Sequence, residues 1–331
     1  LQGLHVATRM VLNEAREALK DARIDALVVD QMDFAAGTVA DSLDLPFVSI
    51  SIVPPIYLSP NVPPISSGWQ YSPGRFAQLR NRVGNALFSL FLSSVLAMVN
   101  KQRRIWALPR LRHVNETLSP RALITQMPEV LDFPRLGNPK QLFYTGPFHD
   151  GRGRRAVKFS WERLTNAPLI YASMGTRRND DYQAFRMISE ACREMQAQLV
   201  ISTGGNLQEI GPLAGSPIIV PYAPQLEILA RASLTITHGG INTTLESLAN
   251  GVPLVVIPVA DDQPGVAARI QWVGAGSAVP FRRLSVKRLH KTIQRVMNES
   301  KYRTAAKQMQ TVIQKLNGLE RAADLVERSL N

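Results

Sequence analysis

The residues best suited to chemistry lie in one short stretch, Leu234-Thr-Ile-Thr-His-Gly-Gly-Ile-Asn-Thr-Thr-Leu-Glu246. Its apolar start, alternating with threonines, reads as a buried strand that ends in His238-Gly239-Gly240. The chain then turns directly into an amphipathic helix, expected over 242–249. A glycine turn at a helix start exposes unpaired backbone N–H groups at the positive end of the helix dipole. That arrangement holds phosphate, and His238 at the strand tip adds one more donor. A diphosphate is therefore the expected ligand.

The elements that must position this segment alternate along the chain. Strands are expected at 169–173, 198–202, 218–220, 234–237, 254–257 and 277–279, with helices between most of them and further helices from 285 onward. The N-terminal part shows the same alternation: a helix over 6–22, a strand over 26–30, a helix over 35–43 and a strand over 46–52. An irregular proline-rich loop over 54–73 follows, then a long helical segment over 75–106 and short strands near 122 and 142. The expected fold class is α/β, with two Rossmann-like, doubly wound domains. Their expected limits are 1–150 and 167–331, joined by a linker over 151–166 that continues from Asp150-Gly-Arg-Gly-Arg-Arg155. Two such domains place a ligand crevice between them, at the carboxyl ends of the strands.

Composition narrows the function classes. A chain of 331 residues can bury two cores. Its one cysteine, Cys192, allows no internal disulfide and points to a reducing compartment. The net charge of +12 points to anionic partners: phosphorylated ligands, an anionic membrane face or nucleic acid. Few aromatics lie among the basic residues and no nucleic-acid module is visible, so no nucleic-acid partner is expected. The longest apolar run, 86–99, is shorter than the ~20 residues needed to cross a bilayer. No zinc spacing and no Asp-x-Asp triplet occur.

Other blocks stand in fixed order around the His-Gly-Gly turn. Upstream is Pro221-Tyr-Ala-Pro-Gln225; downstream are Gly251-Val-Pro253, Asp261-Asp262-Gln263 and Gly274-Ala-Gly276. In these blocks the chain resembles the UDP-sugar-dependent family 1 glycosyltransferases of GT-B fold. Their donor signature runs aromatic-x-Pro-Gln, His-x-Gly-x-Asn-Ser-x-x-Glu, Gly-Val-Pro, Asp/Glu-Gln. All blocks match over 222–276, with Thr243 in place of the usual serine. Within the family it resembles the bacterial branch around zeaxanthin glucosyltransferase and the macrolide glycosyltransferases. Val29-Asp-Gln31, Tyr144-Thr-Gly-Pro-Phe-His-Asp150 and Ala172-Ser-Met-Gly-Thr176 support the resemblance.

The resemblance implies a UDP-sugar donor, no metal ion, and roles for named residues. His238, the Gly240 amide, Asn242 and Thr243 would hold the diphosphate, with hydroxyls from Ser173 and Thr176. Donors aimed at a departing phosphate stabilise charge where it develops. Glu246 would accept ribose hydroxyls, Asp262 and Gln263 sugar hydroxyls, Tyr222 would face the uracil and Gln225 the base or ribose. Plainer readings stand beside these. Glu246 could close a Thr243-x-x-Glu246 capping box, and Asp262 could merely favour a helix start. Tyr222 could be ordinary packing, and His149 a structural residue.

Sugar transfer with inversion needs a base for the acceptor hydroxyl. In the resembling family it is a histidine in a Gly-His-x-x-Pro loop after the first strand, and no such loop is present. The Leu1 start and the resemblance together suggest an N-terminal truncation that removes the base and leaves the fragment inactive alone. The remaining partner is Asp30, matching the aspartate that orients that base. It could instead cap the next helix, with Asp33 its competitor. The expected reaction moves a hexose, glucose foremost, to a hydroxyl of an apolar small molecule such as a carotenoid, lipid or polyketide. The acceptor is expected among the 54–73 loop, the apolar helix over 87–99 and the donor cleft. A cytoplasmic place, at the inner face of an anionic membrane, suits such an acceptor. A UDP-N-acetylglucosamine epimerase-like enzyme and a non-catalytic nucleotide-sugar-binding subunit stay open as rivals.

Overall fold

Short apolar runs bounded by glycine and proline become parallel strands in the computed structural model, which describes residues 1–331 except 138, 150, 153, 155, 176–181 and 206–209. The chain divides into two units. One comprises Leu1–Ile65, Tyr71–Phe148 and Asn317–Asn331; the other comprises Ser66–Gln70 and His149–Leu316.

The first unit holds β1 (Leu27–Asp30), β2 (Phe47–Ser51), β3 (Leu123–Thr125) and β4 (Leu142–Tyr144), all parallel and side by side in chain order. Parallel neighbours need crossovers. Helix Ala36–Ser42 supplies the first; helices Arg75–Phe91 and Ser93–Ile105 belong to the second. The segment expected as one helix over 75–106 is thus two, bent by 54°. The break falls at Leu92, which is buried in the core and followed by Ser93-Ser94.

The loop over 54–65 is irregular but not open. Prolines remove some of its N–H donors, and side chains bond several of the amides and carbonyls that remain. Gln31 donates to the Pro54 carbonyl at 3.2 Å, and Asn85 to the carbonyls of Ser59 and Val62. Arg135 donates to the Tyr57 carbonyl at 2.6 Å while its Nε bonds Asp132 at 3.0 Å. Tyr144 donates to the same Asp132 oxygen at 2.7 Å. Burial and the Asp132 carboxylate hold the Tyr144 hydroxyl protonated, far above its ordinary range.

The limits of the two units differ from the expected domains at three places, and Ser66–Gln70, expected within 1–150, falls in the second unit. Helix Gly318–Leu330 belongs with the first unit, not with 167–331. Its Leu325, Val326 and Leu330 cover the sheet face made by Val48, Ala122 and Ile124. Gly318 lets it approach closely, since a Cβ there would stand 2.3 Å from the Pro147 carbonyl oxygen. The expected linker over 151–166 belongs to the second unit. Trp161, packed edge-on against Phe159 at 4.8 Å, joins the core around Leu169 and Tyr171.

The second unit holds a six-stranded parallel sheet: β5 (Leu169–Ser173), β6 (Gln198–Ser202), β7 (Ile218–Val220), β8 (Ala232–Thr237), β9 (Leu254–Val256) and β10 (Gly276–Ala278). Their order is β10-β9-β8-β5-β6-β7. The chain lays β6 and β7 on one side of β5 and then returns to place β8 on the other. Strand order therefore reverses between β5 and β8, which opens a crevice at their carboxyl ends.

Candidate functional site

Ser173 at the end of β5 pairs in register with Thr237 at the end of β8. The residues that follow, Met174-Gly175 and His238-Gly239-Gly240, therefore leave the sheet side by side at the switch point. The His238 ring is packed against two glycines. A Cβ on Gly175 or on Gly240 would stand 2.7 Å from its Cε1. The ring bonds the Ser173 backbone carbonyl; burial nevertheless lowers its pKa and keeps it neutral near pH 7. Gly239 has φ +95°, and a Cβ there would meet Val256 at 2.9 Å and the Gln263 carbonyl at 3.2 Å. The turn thus needs glycine, and Gln263 lies directly against it.

Gly240 is the N-cap of helix Ile241–Ala249, which starts one residue ahead of the expected start, and no side chain among the described residues caps it. The positive end of such a helix suits an anionic ligand. Asn242 is exposed on the first turn and Thr243 half-buried beside it. The capping-box reading of Glu246 is overturned. Thr243 is inside the helix rather than at its cap, and Glu246 is spent elsewhere. Glu246 is 2% exposed, and its Oε2 accepts from Gln225 Nε2 at 2.6 Å. Arg154 bonds both its oxygens, and His149 Nε2 stands 3.5 Å away.

Gln225 is a bridge: its amide nitrogen serves Glu246 and, at 3.4 Å, Thr243, while its oxygen accepts from the Tyr171 hydroxyl at 2.8 Å. Burial pushes the Tyr171 pKa up to about 12, so that hydroxyl stays a donor. Tyr222 is 54% exposed and is not a packing residue. Asp262 is the N-cap position of helix Gln263–Trp272 but makes no capping bond. Burial raises its pKa, its own amide and Arg269 opposing, Asp261 reinforcing. Gln263 spends its carbonyl oxygen on the amides of Val259 and Ala260, at 2.8 and 3.1 Å, leaving its nitrogen as the group it can offer.

The structure thus brings Ser173, Gln225, His238, Gly240, Asn242, Thr243, Glu246, Asp262 and Gln263 to the carboxyl edge of one sheet. Tyr222 stands on the segment after β7 at that edge. Thr176 lies outside the described residues. Sequence reasoning missed Tyr171 and Arg154 and gave His149 no part beside Glu246.

In the first unit, Asp30 ends β1 and its Oδ1 accepts from the Met32 amide at 2.8 Å. Capping of helix Ala36–Ser42 falls to Asp33, which accepts from the amides of Ala35 and Ala36 at 3.0 Å. Burial raises the Asp33 pKa, the two amides opposing it. Asp30 is therefore not the helix cap.

The family described as UDP-glucoronosyl and UDP-glucosyl transferase matches residues 4–327. The chain belongs to that family. It is a glycosyltransferase. A zeaxanthin glucosyltransferase of Pantoea ananas is 29% identical over 325 residues, covering 97% of this chain and 75% of that protein. The zeaxanthin glucosyltransferase of Pseudescherichia vulneris is 30% identical over 332 residues, covering 98% and 78%. In fold, the glycosyltransferase of kitacinnamycin aligns with a TM-score of 0.73 at 22% identity, over 97% of this chain and 80% of that one. Its fold is the GT-B arrangement of the glycosyltransferases.

Proposed function

We propose that this glycosyltransferase moves a hexose, glucose foremost, with inversion from a UDP-sugar to a hydroxyl of an apolar small molecule. The observation that carries the reading is the convergence of the uncapped helix start at Gly240, the neutral His238 and the buried Glu246 at one switch point. The diphosphate sits on the amides of Gly240 and Thr243, with Asn242 beside them. The ring of His238 already bonds the Ser173 carbonyl. A diphosphate facing its second nitrogen favours the protonated ring, which then donates twice and steadies the departing phosphate. The helix start and this ring supply the charge stabilisation, so the reading needs no metal.

Glu246 accepts ribose hydroxyls in this reading, taking them in exchange for Arg154. Tyr222 offers an exposed ring to the uracil, Asp262 accepts from sugar hydroxyls, and the Gln263 nitrogen donates to them. Asp30 orients the histidine base, whose Gly-His-x-x-Pro loop is not among these residues. The zeaxanthin glucosyltransferases named above support glucose and an apolar acceptor.

The test is UDP release from UDP-glucose with and without an added apolar alcohol, with TDP-glucose and UDP-N-acetylglucosamine as competing donors. In an assay that supplies the base-bearing loop, release that depends on the alcohol and on UDP-glucose supports the reading. Epimer formation without an acceptor, or a preference for TDP, would overturn it.

A further inference from the structure

Between Asp44 and Glu116 the chain carries no acidic residue, yet it carries eight lysines and arginines. This stretch includes a helix that is inside out. Helix Arg75–Phe91 turns polar and small residues inward: Asn81, Gly84 and Asn85 are buried, and the asparagines bond loop carbonyls. Outward it shows Phe76 (91% exposed), Leu79, Val83, Leu87 and Leu90. Spacings of three and four put these side chains on one stripe, about 21 Å long from Phe76 to Leu90. Arg75 and Arg82 stand exposed alongside it. At Leu90 the stripe meets a groove of about 1050 Å³ whose lining includes Leu96, Lys101, Arg104, Arg110 and Arg112.

We infer that this face docks on an anionic lipid bilayer, with helix Arg75–Phe91 lying in the plane of the interface. A soluble protein keeps apolar side chains inward, so a continuous outward stripe marks a surface that is covered in use. Arginines beside an apolar stripe match acyl chains flanked by anionic headgroups. A second copy of this chain fits worse, because self-pairing sets arginine against arginine with no carboxylate in the segment to neutralise them. The helix lies on the bilayer and does not cross it. No single helix among the described residues is long and apolar enough to span, and the chain that follows the helix is fixed in the first unit through Leu92, Val95 and Val99.

The test is co-sedimentation of the full chain with vesicles of phosphatidylcholine alone and of phosphatidylcholine mixed with phosphatidylglycerol. Binding should be at least about tenfold tighter to the mixed vesicles and weaken with salt. The triple change Phe76→Ser, Leu79→Ser, Val83→Ser should lower binding at least about tenfold with an unchanged thermal melt, since these side chains are exposed. Arg75→Glu with Arg82→Glu should remove most of the preference for the mixed vesicles. Equal pelleting with both vesicles, no pelleting, or a serine triple that binds like the parent would overturn the inference. So would a dimer in sedimentation velocity that the serine triple converts to monomer, which would give the face to a second copy.

Discussion

The turn after β8 and the loop after β2 both interrupt regular structure at a sheet's carboxyl edge, and they treat their backbone in opposite ways. At His238-Gly239-Gly240 the side chains are stripped away, and the helix that follows has no side-chain cap. Over 54–65 proline removes some of the donors, Gln31 and Asn115 accept from the amides of Ile56 and Leu58, and carbonyls are bonded by buried Gln31, Asn85 and Arg135. The difference separates a turn kept open for a ligand from a loop closed by the protein itself. Polar side chains around the first should govern binding, and those around the second stability.

The largest effect should come from Arg135→Ala. It strands a buried Asp132 and the Tyr57 carbonyl, and breaking such a pair costs about 3–5 kcal/mol. Urea unfolding measures it; a loss under about 1 kcal/mol would mean that the loop is held by its asparagines alone. Next is His238→Ala, which should weaken UDP binding by about 10- to 100-fold in calorimetry, the worth of a hydrogen bond to a charged group. Its urea midpoint should stay near that of the parent; unchanged UDP affinity would refute the phosphate assignment.

A smaller effect separates the two regions by pH. The folded pKa of His238 lies below its unfolded value of about 6.5, so the unfolded chain binds the proton more readily. Its contribution to stability is complete above about pH 6.5 and is lost as pH falls toward the folded value. The parent should therefore lose stability relative to His238→Gln between about pH 7.5 and 5, and added UDP should offset that loss. A difference that is flat with pH would show that the ring is not held neutral. The smallest effect is expected from Arg154→Ala. Its side chain is 42% exposed, so releasing Glu246 from it should tighten UDP binding by only about two- to fivefold. Weaker binding would instead make Arg154 a ligand of the nucleotide.

The open turn was legible because its parts are contiguous: strand, glycines and helix fall within 234–246, and local pattern suffices. The unit around it was legible for the same reason, strand following helix. What surrounds Glu246 was not. Arg154 lies 92 residues before it and Tyr171 lies 54 before Gln225, and neither has a pattern that announces a partner so distant. Asp30 and Asp33 illustrate a narrower limit. Two aspartates three residues apart both suit a cap, and only the backbone path decides that Asp33 takes the role. The amphipathic spacing of 318–330 predicted a helix but could not say which sheet it covers.

That last helix has a consequence for synthesis. A ribosome makes a chain from its N-terminal side, and the second unit's residues are complete once Leu316 has emerged. The first unit's are not. Its apolar patch at Val48, Ala122 and Ile124 waits uncovered until Leu325, Val326 and Leu330 arrive. The half made first is therefore the half finished last, and a nascent chain stalled before residue 318 should be the one that chaperones hold.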